Sequence, residues 1–398
     1  MQDMKRFSEL PEYAFPRLRR LLFDKKPGGE IISMHLGEPK HPFPNFINDG
    51  ILKHLGDFSR YPPNEGSETL RIAIGDWIKR RNNIKSINHE TQILPLNGTR
   101  EGLFNATIAL SKKTKYGKKP MVLLPNPFYQ CYAAAAKAID SEPVFIPTPL
   151  ENGFFPDFDA IPDEILNQAT ICYLCSPSNP QGAIASPEYL FNLINIAEKF
   201  DFIILSDECY SEIYYENKPM SALKACSLIG GNPERVITFN SLSKRSNLPG
   251  LRSGFAAGGE RAISEMRKLK SYGGAPIPLP LQYVSTLAWQ DETHVVENRI
   301  LYSKKINHAK AILNDTLGFK CPEAGFFIWL PVRDGEKASV DLWTRFGVKV
   351  LPGLYLSKEN HEIFGAENPG KNYIRIALVE PERKTVDGLE AIAKSCPK

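Results

Sequence analysis

The 398-residue chain has no uninterrupted apolar run of membrane-spanning length, and its opening residues, Met1-Gln2-Asp3-Met4-Lys5-Arg6-Phe7, lack the apolar core of a leader peptide. A cytoplasmic protein is therefore expected, with no membrane partner. Cysteine is sparse. Seven residues, an odd number scattered over a long chain, do not form a disulfide framework. The one close pair, Cys172-x-x-Cys175, lies inside the apolar run Ile171-Cys172-Tyr173-Leu174-Cys175. An extended strand sends those two thiols to opposite faces, so reduced core thiols are expected there rather than a metal knuckle or redox pair. No metal is expected. Blocks of like charge are also missing: 49 Lys and Arg stand against 45 Asp and Glu, and the basic residues are dispersed. That pattern gives no footprint for nucleic acid. Neither the Gly-x-Gly-x-x-Gly dinucleotide fingerprint nor a phosphate loop with its lysine occurs.

What is present is ordinary globular material, 42% hydrophobic and 24% charged, long enough for one large and one small domain. Phe15, Leu18, Leu21 and Leu22 recur at helical spacing, residues 31–36 read as a strand, and a helix is expected within 42–55. Leu70, Ile74, Trp77 and Ile78 share one face of a helix over 70–81. From about residue 92, apolar strands at 93–96, 121–124, 144–146, 171–175, 202–205, 236–239 and 254–257 alternate with helical stretches at 101–110, 130–139 and 187–200. Continuous apolar strands separated by helices predict an α/β architecture, a mostly parallel sheet covered by helices. Beyond Gly273-Gly274-Ala275-Pro276 the alternation lapses. A long helix over about 291–316 then precedes strands at 325–330, 348–351 and 373–378, a smaller α+β part. The expected division is a large domain, 46–290, and a small one combining 1–45 with 291–398.

In such sheets ligands bind beyond the carboxyl ends of the strands, and polar motifs follow those ends one after another. Asn97-Gly98-Thr99-Arg100-Glu101 joins a strand to a helix, where free N–H groups and the helix dipole favour an anion. Pro125-Asn126-Pro127-Phe128-Tyr129 offers aromatic faces for a planar ring, or simple packing. Asn179, in Ser176-Pro177-Ser178-Asn179-Pro180-Gln181-Gly182, is an amide donor or the start of an Asx turn. Asp207 ends an apolar strand, where a carboxylate is costly unless paired; a pyridinium partner and a helix N-cap are the alternatives. Ser241-Leu242-Ser243-Lys244 and, eight residues on, Arg252 combine an amine with hydroxyls and a guanidinium fork. An amine can form a Schiff base with a carbonyl, and the donors suit a dianionic phosphate, which together suggest pyridoxal phosphate (PLP). The competing reading is a basic, solvated connection. Arg375, inside Tyr373-Ile374-Arg375-Ile376-Ala377-Leu378, needs an anion: a substrate carboxylate or a structural ion pair.

Taken together with Gly37-Glu38-Pro39 and Tyr61-Pro62-Pro63, these motifs occur in the order of a known family, and the chain resembles the class I/II aminotransferases of PLP fold type I over nearly its whole length. Within the family the nearer likeness is to the N-succinyldiaminopimelate aminotransferases. It is carried by His41-Pro42 after Gly37-Glu38-Pro39-Lys40, by Asn97-Gly98-Thr99-Arg100-Glu101, by Asn126-Pro127-Phe128-Tyr129-Gln130, by the stretch from Ser243 to Gly254 and by Arg375-Ile376-Ala377-Leu378.

The resemblance implies that Lys244 carries the cofactor covalently and later moves the substrate proton. It implies that Asp207 pairs with the pyridine nitrogen, that Asn179 and Tyr210 bond the phenolic oxygen, and that Tyr129 stacks on the ring. Gly98, Thr99, Arg100, Ser241, Ser243 and Arg252 would surround the phosphate, Arg100 chiefly through its backbone. Tyr61 would reach the phosphate of a neighbouring subunit, which implies a homodimer. Arg375, helped by the backbone of Gly37, would clamp the substrate α-carboxylate. Glutamate would supply the amino group, and the acceptor would be an acidic keto acid of lysine and diaminopimelate biosynthesis, with Arg17, Arg19, Arg20 or Arg245 facing its succinyl end. The alternatives are aminotransferases for kynurenine, glutamine, aromatic amino acids or free diaminopimelate, a PLP lyase acting at Cβ, and a non-catalytic relative. The intact Lys244 and the lack of an attached DNA-binding module weigh against the last.

Overall fold

A computed structural model describes residues 7, 10, 12–316, 318–359, 361–365 and 367–396. Residues 1–6, read above for a leader, lie outside them. The strands are β1 (Ile32–Ser33), β2 (Ile93–Leu96), β3 (Met121–Asn126), β4 (Glu142–Pro147), β5 (Ala169–Cys175), β6 (Ile203–Asp207), β7 (Val236–Ser241), β8 (Gly254–Gly258), β9 (Phe327–Pro331), β10 (Val348–Lys349), β11 (Leu351–Pro352) and β12 (Tyr373–Ala377). β2 to β8 form one sheet in the order β2-β8-β7-β6-β5-β3-β4. Neighbours from β7 through β4 pair in parallel, and β8 alone runs against both its neighbours.

Every residue of β2, β5 and β7 is buried, which is why they read as continuous apolar runs. Alternate side chains enter two cores. Leu123, Val144, Cys172 and Ile204 meet Leu190, Leu193 and Ile194 of the helix Pro187–Phe200 on one face. Val122, Ile171, Tyr173 and Leu205 meet Leu103 and Tyr132, from the helices Thr99–Leu110 and Gln130–Ala138, on the other. Cys172 therefore packs in the first core, whereas Cys175 reaches the cleft described below; both are free thiols.

The register fixes the working edge of the sheet. Leu96 and Ser241 both stand opposite Gly254, and Cys175 stands beside Asp207. The residues following β2, β5, β6 and β7, and those preceding the reversed β8, consequently emerge together.

Two expected strands are shorter. The segment 348–351 divides, because Val348–Lys349 pairs in parallel with Ile32–Ser33 whereas Leu351–Pro352 pairs antiparallel with Ile374 and Arg375. The stretch 31–36 keeps only the two residues of β1, since Met34 turns to bridge two elements: its N–H donates to Lys349 and its carbonyl accepts from Ala377. β12 lies between β11 and β9 in an antiparallel sheet. The helices Glu260–Gly273 and Leu279–Gln290 were not anticipated. The second is apolar around most of its circumference and shows no stripe.

Leu279–Gln290 builds the floor beneath Leu242, with Trp289 fully buried, its ring 4.9 Å from Trp77 and 5.1 Å from Phe255. Trp289→Ala should cost about 3–5 kcal/mol through the cavity it leaves. The check is a lower denaturant midpoint at unchanged slope; an unchanged midpoint would mean the cluster repacks.

Candidate active site

The cleft begins where β2 meets the helix Thr99–Leu110. Gly98 has φ +87°, a conformation that a side chain disfavours, and a Cβ there would stand 2.3 Å from Nη2 of Arg252. Glycine thus lets the guanidinium lie against the start of the helix, whose first N–H groups are unpaired donors. Arg252 itself is in the left-handed region, φ +55°, a strained state for a side chain that the local structure must hold in place. Its Nη1 donates to the Pro249 carbonyl at 3.0 Å and its Nη2 to that of Asn97 at 3.4 Å. Ser241 Oγ accepts from the Ser243 N–H at 3.0 Å and donates to Ser243 Oγ at 2.9 Å. Thr99, Ser241, Ser243 and Arg252 line the same corner of the cleft, a donor set suited to a phosphate.

Asp207 closes the buried end. Its Oδ2 accepts from Tyr132 Oη at 2.8 Å and its Oδ1 from the Cys209 N–H at 3.3 Å. Burial pushes its carboxyl pKa upward, and among the described residues no basic side chain forms an ion pair with it. The capping alternative fails, because the chain after Asp207 makes turns and starts no helix.

Arg375 is buried at the opposite wall. Nη1 donates to Asn179 Oδ1 at 3.1 Å, Nη2 to the His35 carbonyl at 2.9 Å, and Nε has no partner. The ion-pair alternative fails as well: among the described residues no carboxylate pairs with it, and burial lowers its pKa to about 10. Because Arg375 occupies the carbonyl oxygen of Asn179, the amide nitrogen of Asn179 is left as the donor toward the cleft.

Lys244 lies between these walls, its Nζ donating to the Gly37 carbonyl and 5.3 Å from the Phe326 ring centre. Burial brings its pKa down to about 8, with Arg375 and Arg252 contributing, an amine poised near neutrality. Tyr129 donates no bond inward; its hydroxyl accepts from Arg100 Nε at 2.5 Å.

One cavity of about 330 Å³ gathers Gly37, Thr99, Arg100, Tyr129, Asn179, Asp207, Tyr210, Ser241, Ser243, Lys244, Arg252 and Arg375. Gly98 sits directly behind Arg252, and Tyr61 stands apart, 100% exposed. The basic residues expected to face an acidic substrate tail are placed elsewhere. Arg245 is buried below, bonded to the carbonyls of Ala288 and Asp291 and paired with Glu292. Arg17 lies over the Tyr355 ring, Arg20 pairs with Glu12 at the surface, and Arg19 is exposed. Residues that sequence reasoning missed include Tyr13, Phe15, Glu38 and Tyr132. Tyr132 was findable in part: it follows Tyr129 by three residues and so shares its side of a helix.

Residues 30–387 match the family described as aminotransferase class I and II. An LL-diaminopimelate aminotransferase of Dehalococcoides mccartyi is 31% identical over 402 residues, spanning 99% of this chain and 98% of its own. The crystal structure of an aminotransferase from Neisseria meningitidis Z2491 superposes with a TM-score of 0.93 at 36% identity, covering 99% of this chain and 100% of that one. The aminotransferase AspB of Helicobacter pylori 26695 gives 0.87 at 35%, covering 96% and 98%. The chain belongs to the class I and II aminotransferases.

This aminotransferase is a PLP-dependent enzyme of fold type I. The residues present fit that cofactor. A protonated ring nitrogen would give Asp207 the cationic partner that no side chain among the described residues supplies, and the corner at Arg252 would receive the phosphate. Lys244→Ala should leave the fold intact and lower transamination by at least about 10²–10⁴-fold. Turnover at the rate of the unaltered enzyme would remove Lys244 from the reaction.

Proposed function

We propose that the enzyme transfers an amino group from glutamate to N-succinyl-2-amino-6-oxopimelate, a step of lysine and diaminopimelate biosynthesis. The observation that carries the amino-acid reading is Arg375, a buried cation with no counter-ion among the described residues and an unpartnered Nε at the cleft wall. A substrate α-carboxylate would satisfy it bidentately. The reading of the far end rests on charge: Arg100, Lys244, Arg252 and Arg375 line the cleft against the carboxylates of Glu38 and Asp207. With Arg252 assigned to the phosphate, Arg100 at the outer lip is the cation left for a distal carboxylate.

PLP, when bound, supplies the electron sink that acidifies the substrate's Cα–H. The protein's residues do the rest. Lys244 would bind the cofactor's aldehyde and then hold and deliver the proton, for which an amine pKa of about 8 suits operation near neutrality. Asp207, held in line by Tyr132 and the Cys209 N–H, would keep the ring nitrogen protonated. Asn179 and Tyr210 would donate to the phenolic oxygen, and Tyr129 would cover the ring. Tyr13 and Phe15, at the start of the N-terminal helix, wall the mouth and limit water.

Tyr61 is assigned to the neighbouring subunit's phosphate. An aromatic side chain left wholly in water, close in sequence to the exposed Leu52, Leu55 and Phe58, is what a second copy of the chain would cover.

The second reading is free LL-diaminopimelate as the amino donor, favoured by full-length similarity to relatives named for it. The distal end of free diaminopimelate pairs its carboxylate with an ammonium and is neutral overall, whereas succinylation removes the ammonium and adds a second carboxylate, so Arg100 would favour the succinylated end. Titration of the bound cofactor's absorbance with L-glutamate, N-succinyl-LL-diaminopimelate and LL-diaminopimelate separates the two. Conversion by glutamate and the succinylated compound, with Arg100→Ala raising KM for the latter about tenfold or more at little change for alanine, is the expected result. Conversion by glutamate and free diaminopimelate alone would transfer the assignment to the second reading.

A further inference from the structure

Behind Lys244, on the side away from the cleft, a chain of buried polar groups has no part in the chemistry above. Asn298, Tyr302 and Lys305 recur at positions i, i+4 and i+7 of the helix Thr293–Leu313 and therefore share its inner face. All three are buried. Lys305 Nζ lies 2.7 Å from His41 Nε2 and donates to the Leu378 carbonyl at 3.3 Å. His41 Nδ1 lies 2.9 Å from Asn298 Oδ1. Asn298 Nδ2 donates to the carbonyls of Lys244 at 3.2 Å and Arg245 at 3.4 Å, and Asn247 Nδ2 donates to Asn298 Oδ1 at 3.0 Å.

Donor and acceptor chemistry gives this chain one direction. The Lys305 ammonium has only donors, so Nε2 of His41 accepts and its Nδ1 carries the proton. That N–H requires the Asn298 oxygen as acceptor, which leaves the Asn298 amide to hold the backbone of Lys244. Reversing any member would set two donors or two acceptors face to face with little water to relieve them, which is costly. The His41 ring also packs 4.4 Å from the Tyr302 ring, Tyr302 lies 5.2 Å from Phe326, and Phe326 borders the Lys244 amine. The same group of residues thus reaches Lys244 through its backbone and through the ring beside its Nζ. It is also joined along the chain to the other two parts of the substrate grip: His41 is four residues from Gly37, and Leu378 is three from Arg375.

We propose that Lys305, His41 and Asn298 are positioning residues that fix the main chain of Lys244 relative to Gly37 and Arg375, so that the amine meets the substrate Cα–H without reorganising. The proposal rests on Lys244 as the proton-carrying group, and an inactive Lys244→Ala variant is its precondition. A misplacement of about 1 Å at the reacting atoms is enough to cost on the order of 10²-fold in rate.

The test compares His41→Phe with His41→Gln in the PLP-loaded enzyme. Phenylalanine keeps the ring against Tyr302 but neither bond. Glutamine restores both, accepting from Lys305 through Oε1 and donating to Asn298 through its amide. His41→Phe should lower kcat with glutamate about 10–100-fold while KM stays within about twofold. It should also weaken the visible circular dichroism of the bound cofactor, which reports how asymmetrically the protein holds it. His41→Gln should recover most of both. Lys305→Met, similar in shape and lacking the donor, should move both readouts in the same direction and serves if His41→Phe does not fold. The proposal is overturned if His41→Phe matches the unaltered enzyme in kcat and dichroism. It is equally overturned if phenylalanine and glutamine lose activity alike in proportion to lost thermal stability, since His41 would then be only a packing residue. Should Lys244→Ala instead retain turnover, the assignment of Lys244 fails and the relay with it.

Discussion

Lys244, Asp207 and Arg375 are three ionisable groups in one cleft, the first half-buried and the other two buried, and no ion pair joins them. Removing a charge from water is costly unless a partner of opposite sign replaces the solvent. Here the protein supplies dipoles: a phenol and a backbone N–H for Asp207, a carbonyl oxygen for Lys244, and an amide oxygen and a carbonyl for Arg375. Each group is held in place yet remains electrostatically unsatisfied. Under the proposed function that residual cost is a source of affinity for a cofactor bringing a cationic ring nitrogen and an aldehyde, and for a substrate bringing a carboxylate. The surrounding scaffold has to be rigid enough that the three groups do not collapse onto one another.

Rigidity comes from the sheet. Because β3, β5, β6 and β7 run in parallel, their loops share an edge, and because β8 is reversed its first residues return to the same place. Placing Leu96 and Ser241 opposite Gly254 sets the helix start at Thr99, the hydroxyls of Ser241 and Ser243, and Arg252 within reach of one phosphate. Gly98 suits that arrangement, since its φ of +87° disfavours a side chain and a Cβ would displace the Arg252 guanidinium from its place against the helix start. The antiparallel sheet contributes the remaining wall through β12, whose Arg375 crosses to Asn179 after β5.

Much of this was legible in the residues. Wherever one strand is buried on both faces, as β5 and β7 are, its apolar run is unmistakable, and the polar residue that ends it stands out. Asp207 was singled out in that way, Lys244 from the hydroxyls that flank it just past β7, and Arg375 as a charge in the middle of an apolar strand. What escaped were partnerships across long sequence distances. Nothing in the spacing of Tyr132 and Asp207 reveals their bond, and Arg245, an arginine next to Lys244, looked like a pocket residue although its neighbours Trp77 and Trp289 draw it into the opposite core. The division of 348–351 between two sheets was equally hidden, because two-residue strands take their identity from hydrogen-bond partners, and composition does not encode those. Tyr13 and Phe15 escaped because a surface helix near the chain start carries no mark of what it covers.

The three unsatisfied charges also influence one another in a way that links substrate recognition to proton transfer. Arg375 is among the groups that depress the Lys244 amine. A carboxylate arriving on Arg375 cancels much of that field, so the proton affinity of Lys244 rises once an acidic substrate is seated. Interactions that strengthen only after binding favour the chemical step over mere occupancy. Under the proposed function, the residue that selects the substrate therefore also primes the base to accept its proton. A neutral amine lacking a carboxylate would leave Arg375 unpaired and Lys244 less basic, and would be discriminated against at both steps.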